Sequence, residues 1–200
     1  MSTRLLLLRH GQIKANRLRR WHGSTDSPLT WRGRRQAKRT ARHLQSRVSI
    51  DAVYSSPLIR CQHTAQLAMS GQSHEIQTHP GLAEMAIGEW EDMLFRDLLE
   101  QHDFINRACA DTSFAPPGGE SLDQVAERVV DALVQIDASH TSDQTILVVT
   151  HGVAIGVALS VLLHEVPSRW IDYHIENCSL TEISLSPEPV VHAYNQHAHI

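Results

Sequence analysis

Two histidines and two arginines stand out by their surroundings. His10 follows the apolar run "LLLL" and Arg9 and precedes Gly11, while His151 follows "ILVVT" and precedes Gly152. Arg60 lies a few residues beyond a third strand-like stretch, "DAVYSSP". Imidazole is a nucleophile and base near neutral pH, and guanidinium suits multidentate recognition of phosphoryl oxygens. Two of each converging on one place would make a pocket for a compact dianion, with phosphate the best fit. A glycine after each histidine would let a ligand approach the backbone closely. The sequence has no GxxxxGK[ST] loop, GxGxxG fingerprint or HExxH pair. Any phosphate would therefore be held by side chains, and no metal or cofactor is expected.

These residues can meet only if several strand exits are brought together. Residues 4–8 and 146–150 are short apolar runs without alternation, the pattern of strands buried on both faces. Thr30 is placed to cap a helix with Ala37, Ala41 and Leu44 on its inner stripe. "LIRCQHTAQLAM" reads as a helix carrying Arg60 in its first turn, and "EIQTHPGL" as a short strand with a Pro-Gly break. Between residues 86 and 120, Trp90, Leu94, Leu98 and Leu99 suggest a helix ahead of the loop "FAPPGGES". Ser121 then caps a helix whose stripe runs Leu122, Val125, Ala126, Val129, Val130, Leu133 and Ile136, and a further apolar helix is expected over residues 153–163. "CSLTEISLS" and "VVHAYN", parted by "PEP", read as late strands towards a sheet edge. Alternating strands and helices predict an α/β protein with a mostly parallel sheet covered on both faces. Ligands of such sheets bind beyond the carboxyl ends of the strands.

Composition is that of an ordinary globular domain: 200 residues, 42% hydrophobic, 20% charged, net charge −4. No apolar run approaches the ~20 residues that cross a bilayer, and the amino-terminal residues do not read as a signal peptide. Cys61, Cys109 and Cys178 are scattered, the pattern of reduced thiols in a cytoplasmic protein. Charge is uneven: Lys14 to Arg47 holds eleven of the eighteen Lys and Arg and a single acid, Asp26. Such a stretch can bind nucleic acid or attract a small anion. Read by itself it is a solvated helix face, and neither a nucleic-acid nor a membrane partner is expected.

"LLLLRHGQIKAN", "DSPLTWRGRRQA", "SSPLIRCQHTA", "LAEMAIGEWE", "PPGGES" and "VVTHG" occur in the order found in the histidine phosphatase superfamily, which the chain resembles over nearly its whole length. The resemblance implies a phosphoglycerate mutase-like three-layer α/β/α sandwich formed by one domain over residues 1–200, with residues 86–120 as an insertion covering the site. It implies a metal-independent phosphomonoester hydrolase acting through phosphohistidine. His10 would be the nucleophile, Arg9, Arg60 and His151 its phosphate-binding companions, and Glu84 the proton donor. Asn16, His22, Gly23 and Gly152 would contact substrate. Two departures bear on specificity: Ile13 stands where relatives often have threonine, and His22 where many have glutamine.

The short separation of Glu84 and His151 favours a phosphatase over a phosphoglycerate mutase-type transferase, which typically has a longer insertion there. "GEWEDMLFRDLLEQ" resembles the equivalent part of α-ribazole phosphatases, making α-ribazole 5'-phosphate a candidate among small phosphorylated substrates. Trp21, His22, Trp90 and Phe95 are candidate contacts. Outside catalysis, a phospho-ligand binder or a nucleic-acid binder would explain parts of the pattern. The histidines of "HAYNQHAHI" suggest metal binding only weakly, and the late strands leave a homodimer among the options.

Overall fold

The computed structural model describes residues 3–141 and 143–200. Along the chain come β1 (Arg4–Arg9), α1 (Lys14–Leu18), α2 (Trp31–Gln45), β2 (Ala52–Ser55), α3 (Ile59–Ala68), β3 (Ile76–Thr78), α4 (Phe95–Glu100), α5 (Phe104–Ala110), α6 (Leu122–Ala138), β4 (Thr145–Thr150), α7 (Gly152–His164), β5 (Leu180–Ser184) and β6 (Val190–Gln196). The strands form one mixed sheet in the order β3-β2-β4-β1-β5-β6. The first four are mutually parallel, while β5 runs antiparallel to β1 and β6 antiparallel to β5.

The unbroken apolar runs are explained by burial on both faces. Leu5, Leu7, Ile146 and Val148 point into the core shared with α6 and α7, and Leu6, Leu8, Leu147 and Val149 into the core shared with α2 and α3. The expected α/β/α sandwich is therefore present, matched by helices at their expected places. Thr30 caps α2 by accepting the Gly33 N–H, and Ser121 and Gln124 form a reciprocal capping box on α6. No helix among the described residues is long and apolar enough to cross a membrane.

Two expectations about Trp90 are corrected. Trp90 is not on a helix: residues Gly88–Trp90 form a 3-10 turn, and α4 starts only at Phe95. The indole is buried, stacked on His102 and edge-on to Phe104, so it is core and not a ligand contact. The two late strands do lie towards a sheet edge: β6 is the edge strand, and β5 stands next to it and pairs with β1. Its prolines fall in the turn after it, where they remove no ladder donor.

The order of the sheet puts the carboxyl ends of β2, β4 and β1 side by side. Those ends lead into Arg60, His151 and Arg9–His10 respectively. α2 presses on the loop after β1: Thr30 N donates to Gln12 O at 2.9 Å. A Cβ on Gly33 would lie 2.2 Å from Gln12 O and 2.7 Å from Gln12 N, so only glycine allows the helix this close. Gly33→Ala is expected to lower unfolding free energy by about 1–3 kcal/mol, the usual range for overpacking, measured by urea denaturation. An unchanged midpoint would mean that α2 is not seated against this loop.

Candidate active site

The guanidinium of Arg60 is 0% exposed, and arginine brings five N–H donors that need partners. Its Nη1 donates to Thr25 O (2.8 Å) and faces Asp26 Oδ1 (3.5 Å), and its Nη2 donates to His22 O (3.1 Å) and Gly23 O (2.7 Å). Nε donates to His151 Nδ1 at 3.3 Å. Asp26 Oδ2 in turn accepts the Ile59 N–H at the start of α3. From the opposite side the Glu91 carboxylate accepts the N–H groups of Gly23, Ser24 and Thr25 at 3.0–3.1 Å. Partial burial pushes the Glu91 carboxyl up, but hydrogen bonds from Thr25, Ile87 and Ser24 outweigh it and leave it below its ordinary value. Residues 22–26 are thus held by a cation on their carbonyls and an anion on their amides.

His10 leaves β1 into the gap between these anchors and is 3% exposed. Its Nδ1 lies 2.8 Å from Gly11 O, so the Nδ1–H tautomer donates there and Nε2 keeps its lone pair. Gly11 N donates to Thr64 Oγ1 on α3, and Asn177 Nδ2 donates to His10 O, fixing the backbone on both sides of the imidazole. Burial first, then the charges of Arg60 and Arg9, push the His10 pKa well below 6.5. Beside it the Arg9 guanidinium donates from Nη1 to Ile175 O, while its Nε is buried without a partner. A buried, unpartnered guanidinium N–H invites an anion.

His151 stands edge-on to His10, ring centroids 5.2 Å apart. Its Nε2 is 2.8 Å from Ser56 Oγ and 3.3 Å from Cys61 Sγ. With Nε2–H donated to Ser56, Nδ1 accepts from Arg60. Its pKa too is pushed well down by burial, then by Arg60, His10 and Arg9. Burial pushes the neighbouring Cys61 thiol up, which leaves it an inert packing group. Glu84 completes the floor: Oε1 accepts from Met85 N and Ala154 N, Oε2 from Val153 N. The last two amides belong to the first turn of α7.

A cavity of about 460 Å³ opens over these groups. Arg9, His10, Asn16, His22, Glu84 and Gly152 of the residues singled out by sequence lie in its lining. Arg60 and His151 stand behind that lining and reach it through their partners. Gly23 does not fit its expected role as a substrate contact. Its N–H is committed to Glu91, and a Cβ there would sit 2.0 Å from Met85 O, so the glycine permits a close chain crossing. Asn16 Oδ1 accepts from Ile13 N and Asn177 Nδ2, leaving its amide hydrogens for the cavity. His22 Nε2 is 2.9 Å from Asp92 Oδ1, and Ile13 is buried.

Sequence reasoning passed over Ser56, Thr64, Glu91 and Asn177. Each acts on a group distant in the chain, so spacing carried no signal; Ser56, Thr64 and Glu91 did stand inside quoted motifs. The wall formed by Trp170, Tyr173 and His174 was missed because it comes from a 3-10 segment, residues Pro167–Asp172, and the loop after it.

A neutral buried imidazole beside an unsatisfied guanidinium, at the carboxyl ends of parallel strands, defines the class of α/β enzyme that handles phosphate with side chains. The chain belongs to the histidine phosphatase superfamily (branch 1), whose family model matches residues 5–196. It is 36% identical over 180 residues to the bifunctional protein Rv2228c of Mycobacterium tuberculosis, covering 90% of this chain and 49% of that protein. It therefore spans about half the length of that relative. It is also 36% identical over 163 residues to the adenosylcobalamin/alpha-ribazole phosphatase of Escherichia coli K12, covering 80% of this chain and 79% of that one. Among solved structures it superposes on the phosphoserine phosphatase of Entamoeba histolytica in complex with 3-phosphoglyceric acid with a TM-score of 0.88 at 27% identity, covering 98% of each chain.

Both histidines have folded-state pKa values below the unfolded value near 6.5. In the window beneath 6.5 the unfolded chain binds more protons, so stability is present above it and is lost as pH falls. Each histidine contributes a slope of up to about 1.4 kcal/mol per pH unit in that window. Denaturation in phosphate-free buffer should show the midpoint falling between pH 6.5 and 5, less steeply in His10→Asn. A flat profile would mean that the imidazoles are solvated.

Proposed function

We propose that the protein is a metal-independent phosphomonoesterase working through a phosphohistidine on His10, with α-ribazole 5'-phosphate as the substrate of choice. The observation that carries this reading is the free Nε2 lone pair of a neutral His10 next to the unpartnered Arg9 Nε–H. In the first step Nε2 attacks phosphorus in line, the phosphorus–oxygen ester bond breaks, and Glu84 gives its proton to the leaving alkoxide. In the second, water attacks the phosphohistidine, Glu84 takes a proton from it, and the N–P bond breaks to release phosphate. Arg9 and Asn16 hold the equatorial oxygens, where negative charge is spread in the transition state. Arg60 Nε and His151 Nδ1 face each other across 3.3 Å. All of Arg60's donors are met by protein groups, so it and His151 act from behind the lining, by holding the pocket's shape and its positive potential.

The leaving-group end of the cavity is aromatic. Trp21, Phe95, Trp170 and Tyr173 line it, with Trp21 stacked on Phe95 at 6.1 Å and edge-on to Trp170 at 6.3 Å. Such a wall suits a planar heteroaromatic riboside better than a small hydroxy acid. The similarity to the alpha-ribazole phosphatase of Escherichia coli supports the same choice.

Phosphate release from a generic aryl phosphate in excess chelator should proceed with the intact protein and fall at least about a thousandfold in His10→Ala, since nucleophile and base act as a unit. A chelator-sensitive activity, or one that survives the substitution, would rule out the phosphohistidine route. In a panel of α-ribazole 5'-phosphate, phosphoserine and 3-phosphoglycerate, the first should give the highest kcat/KM. Phe95→Ala should lower that value about tenfold through KM, because it removes uniform binding.

A further inference from the structure

The solvent face of α2 is unlike any other surface of the molecule. Its sequence, "WRGRRQAKRTARHLQ", holds Arg32, Arg34, Arg35, Lys38, Arg39 and Arg42 and no acid. Gly33, Gln36, Ala37, Thr40, Ala41 and Leu44 face inward, so all six cations crowd the outer arc. Among the described residues none of the six lies within ion-pair distance of a carboxylate. Like charges at i, i+4, such as Arg34–Lys38, Arg35–Arg39 and Lys38–Arg42, destabilise a helix by a few tenths of a kcal/mol per pair. The fold offsets them only in part, through the Trp31 ring under Arg35, Glu176 near the groove and the carboxyl-terminal position of Arg42, and a polyanion would offset the rest.

Trp31, at the start of this helix, is 74% exposed, the most exposed large apolar residue described. Arg35 lies over its ring, 5.6 Å from the centroid. Next to it runs a groove of about 520 Å³ lined by Trp31, Arg32, Arg35, Arg39, Glu176 and His197, with Gln36 on its floor. Glu176 is its one acid, and His174 pairs with it at 3.0 Å. Arg32, Arg35 and Arg39 occupy successive turns, about 4.5 and about 6 Å apart along the axis.

We propose that this groove and the outer face of α2 bind a single-stranded polynucleotide, its phosphates along the arginine row and a base stacked on Trp31. A regular row of cations suits a polymer of regularly spaced anions, and an exposed indole beside it is a stacking platform. A bilayer is a poorer occupant: besides Trp31 the groove is lined by one other large apolar side chain, Ile200, and that one is half-buried against the core instead of free to insert. A duplex hides its bases from Trp31. The site shares no catalytic residue with the cavity over His10, so its test is independent of phosphatase activity.

The full chain is titrated into a fluorescent oligodeoxythymidylate at low salt, with anisotropy and tryptophan quenching as readouts. Binding in the micromolar range is expected, and log K should fall with log[salt] with a slope of about −2 to −3, the value for three or four phosphates on a single strand. Arg35→Glu/Arg39→Glu should weaken binding more than tenfold and flatten the slope. Trp31→Ala should weaken it about tenfold with the slope kept. Hydrolysis of an aryl phosphate should be unchanged in all three proteins, which shows that each is folded. No binding at low salt, or equal binding by the charge-reversed variant, overturns the proposal. So does binding of duplex, polyglutamate or phosphatidylserine vesicles that matches or exceeds the single strand.

Discussion

A fully buried positive charge organises this molecule. Removing a guanidinium from water costs several kcal/mol unless every donor is met, and Arg60 meets that demand with three carbonyls, Asp26 and His151. Those partners come from the loop after α1 and from the exit of β4, while Arg60 itself rides on α3 after β2. One side chain thus gathers three distant pieces of chain around a single point. The same charge, added to burial, keeps His10 and His151 neutral. Architecture and electrostatics are therefore not separate properties here: the cation that closes the fold also disfavours protonation of both buried imidazoles.

The groups around the cavity divide by rigidity. His10, Arg9 and His151 sit at strand exits and Glu84 on a loop held to the first turn of α7; the first two and Glu84 are pinned by backbone contacts, His151 by Ser56 and Arg60. Phe95, Tyr173 and His174 come from a short helix and a loop, and carry the mouth. A reaction that needs its oxyanion donors fixed to within tenths of an ångström is best served by the first set. The second set is free to fit a leaving group.

Much of the fold could be read in the sequence because its signals are local. The double-faced burial of β1 and β4 shows in their unbroken leucines, isoleucine and valines; the caps of α2 and α6 show in Thr30 and in Ser121 with Gln124. Five-residue α1 gave no periodicity to read, and Trp90 with Leu94 and Leu98 imitated a helix that the chain breaks at Glu91. β5 and β6 read as strands towards an edge, but their composition cannot show which of them pairs with β1. For the site, glycine-flanked histidines and two arginines pointed to the strand exits where the structure brings Arg9, His10, Arg60 and His151 together. Whether Arg60 faces a ligand or the protein's own carbonyls depends on a loop more than thirty residues away, which no spacing rule reports. Gly23 was misjudged for a related reason: a glycine demanded by chain crossing looks the same in sequence as one demanded by a ligand.

The loop at residues 22–26 is gripped almost wholly by its main chain, with Arg60 on the carbonyls and Glu91 on the amides. Any residue supplies those groups. Apart from Gly23, where a side chain has no room, and Asp26, which caps α3, the shape of the loop does not depend on what its residues are. His22 and Ser24 can therefore be exchanged by mutation without loosening the scaffold, and His22 lines the cavity. This arrangement separates heritable variation in substrate choice from the integrity of the fold, and offers one physical route by which a single architecture serves enzymes named for as many substrates as the relatives of this chain.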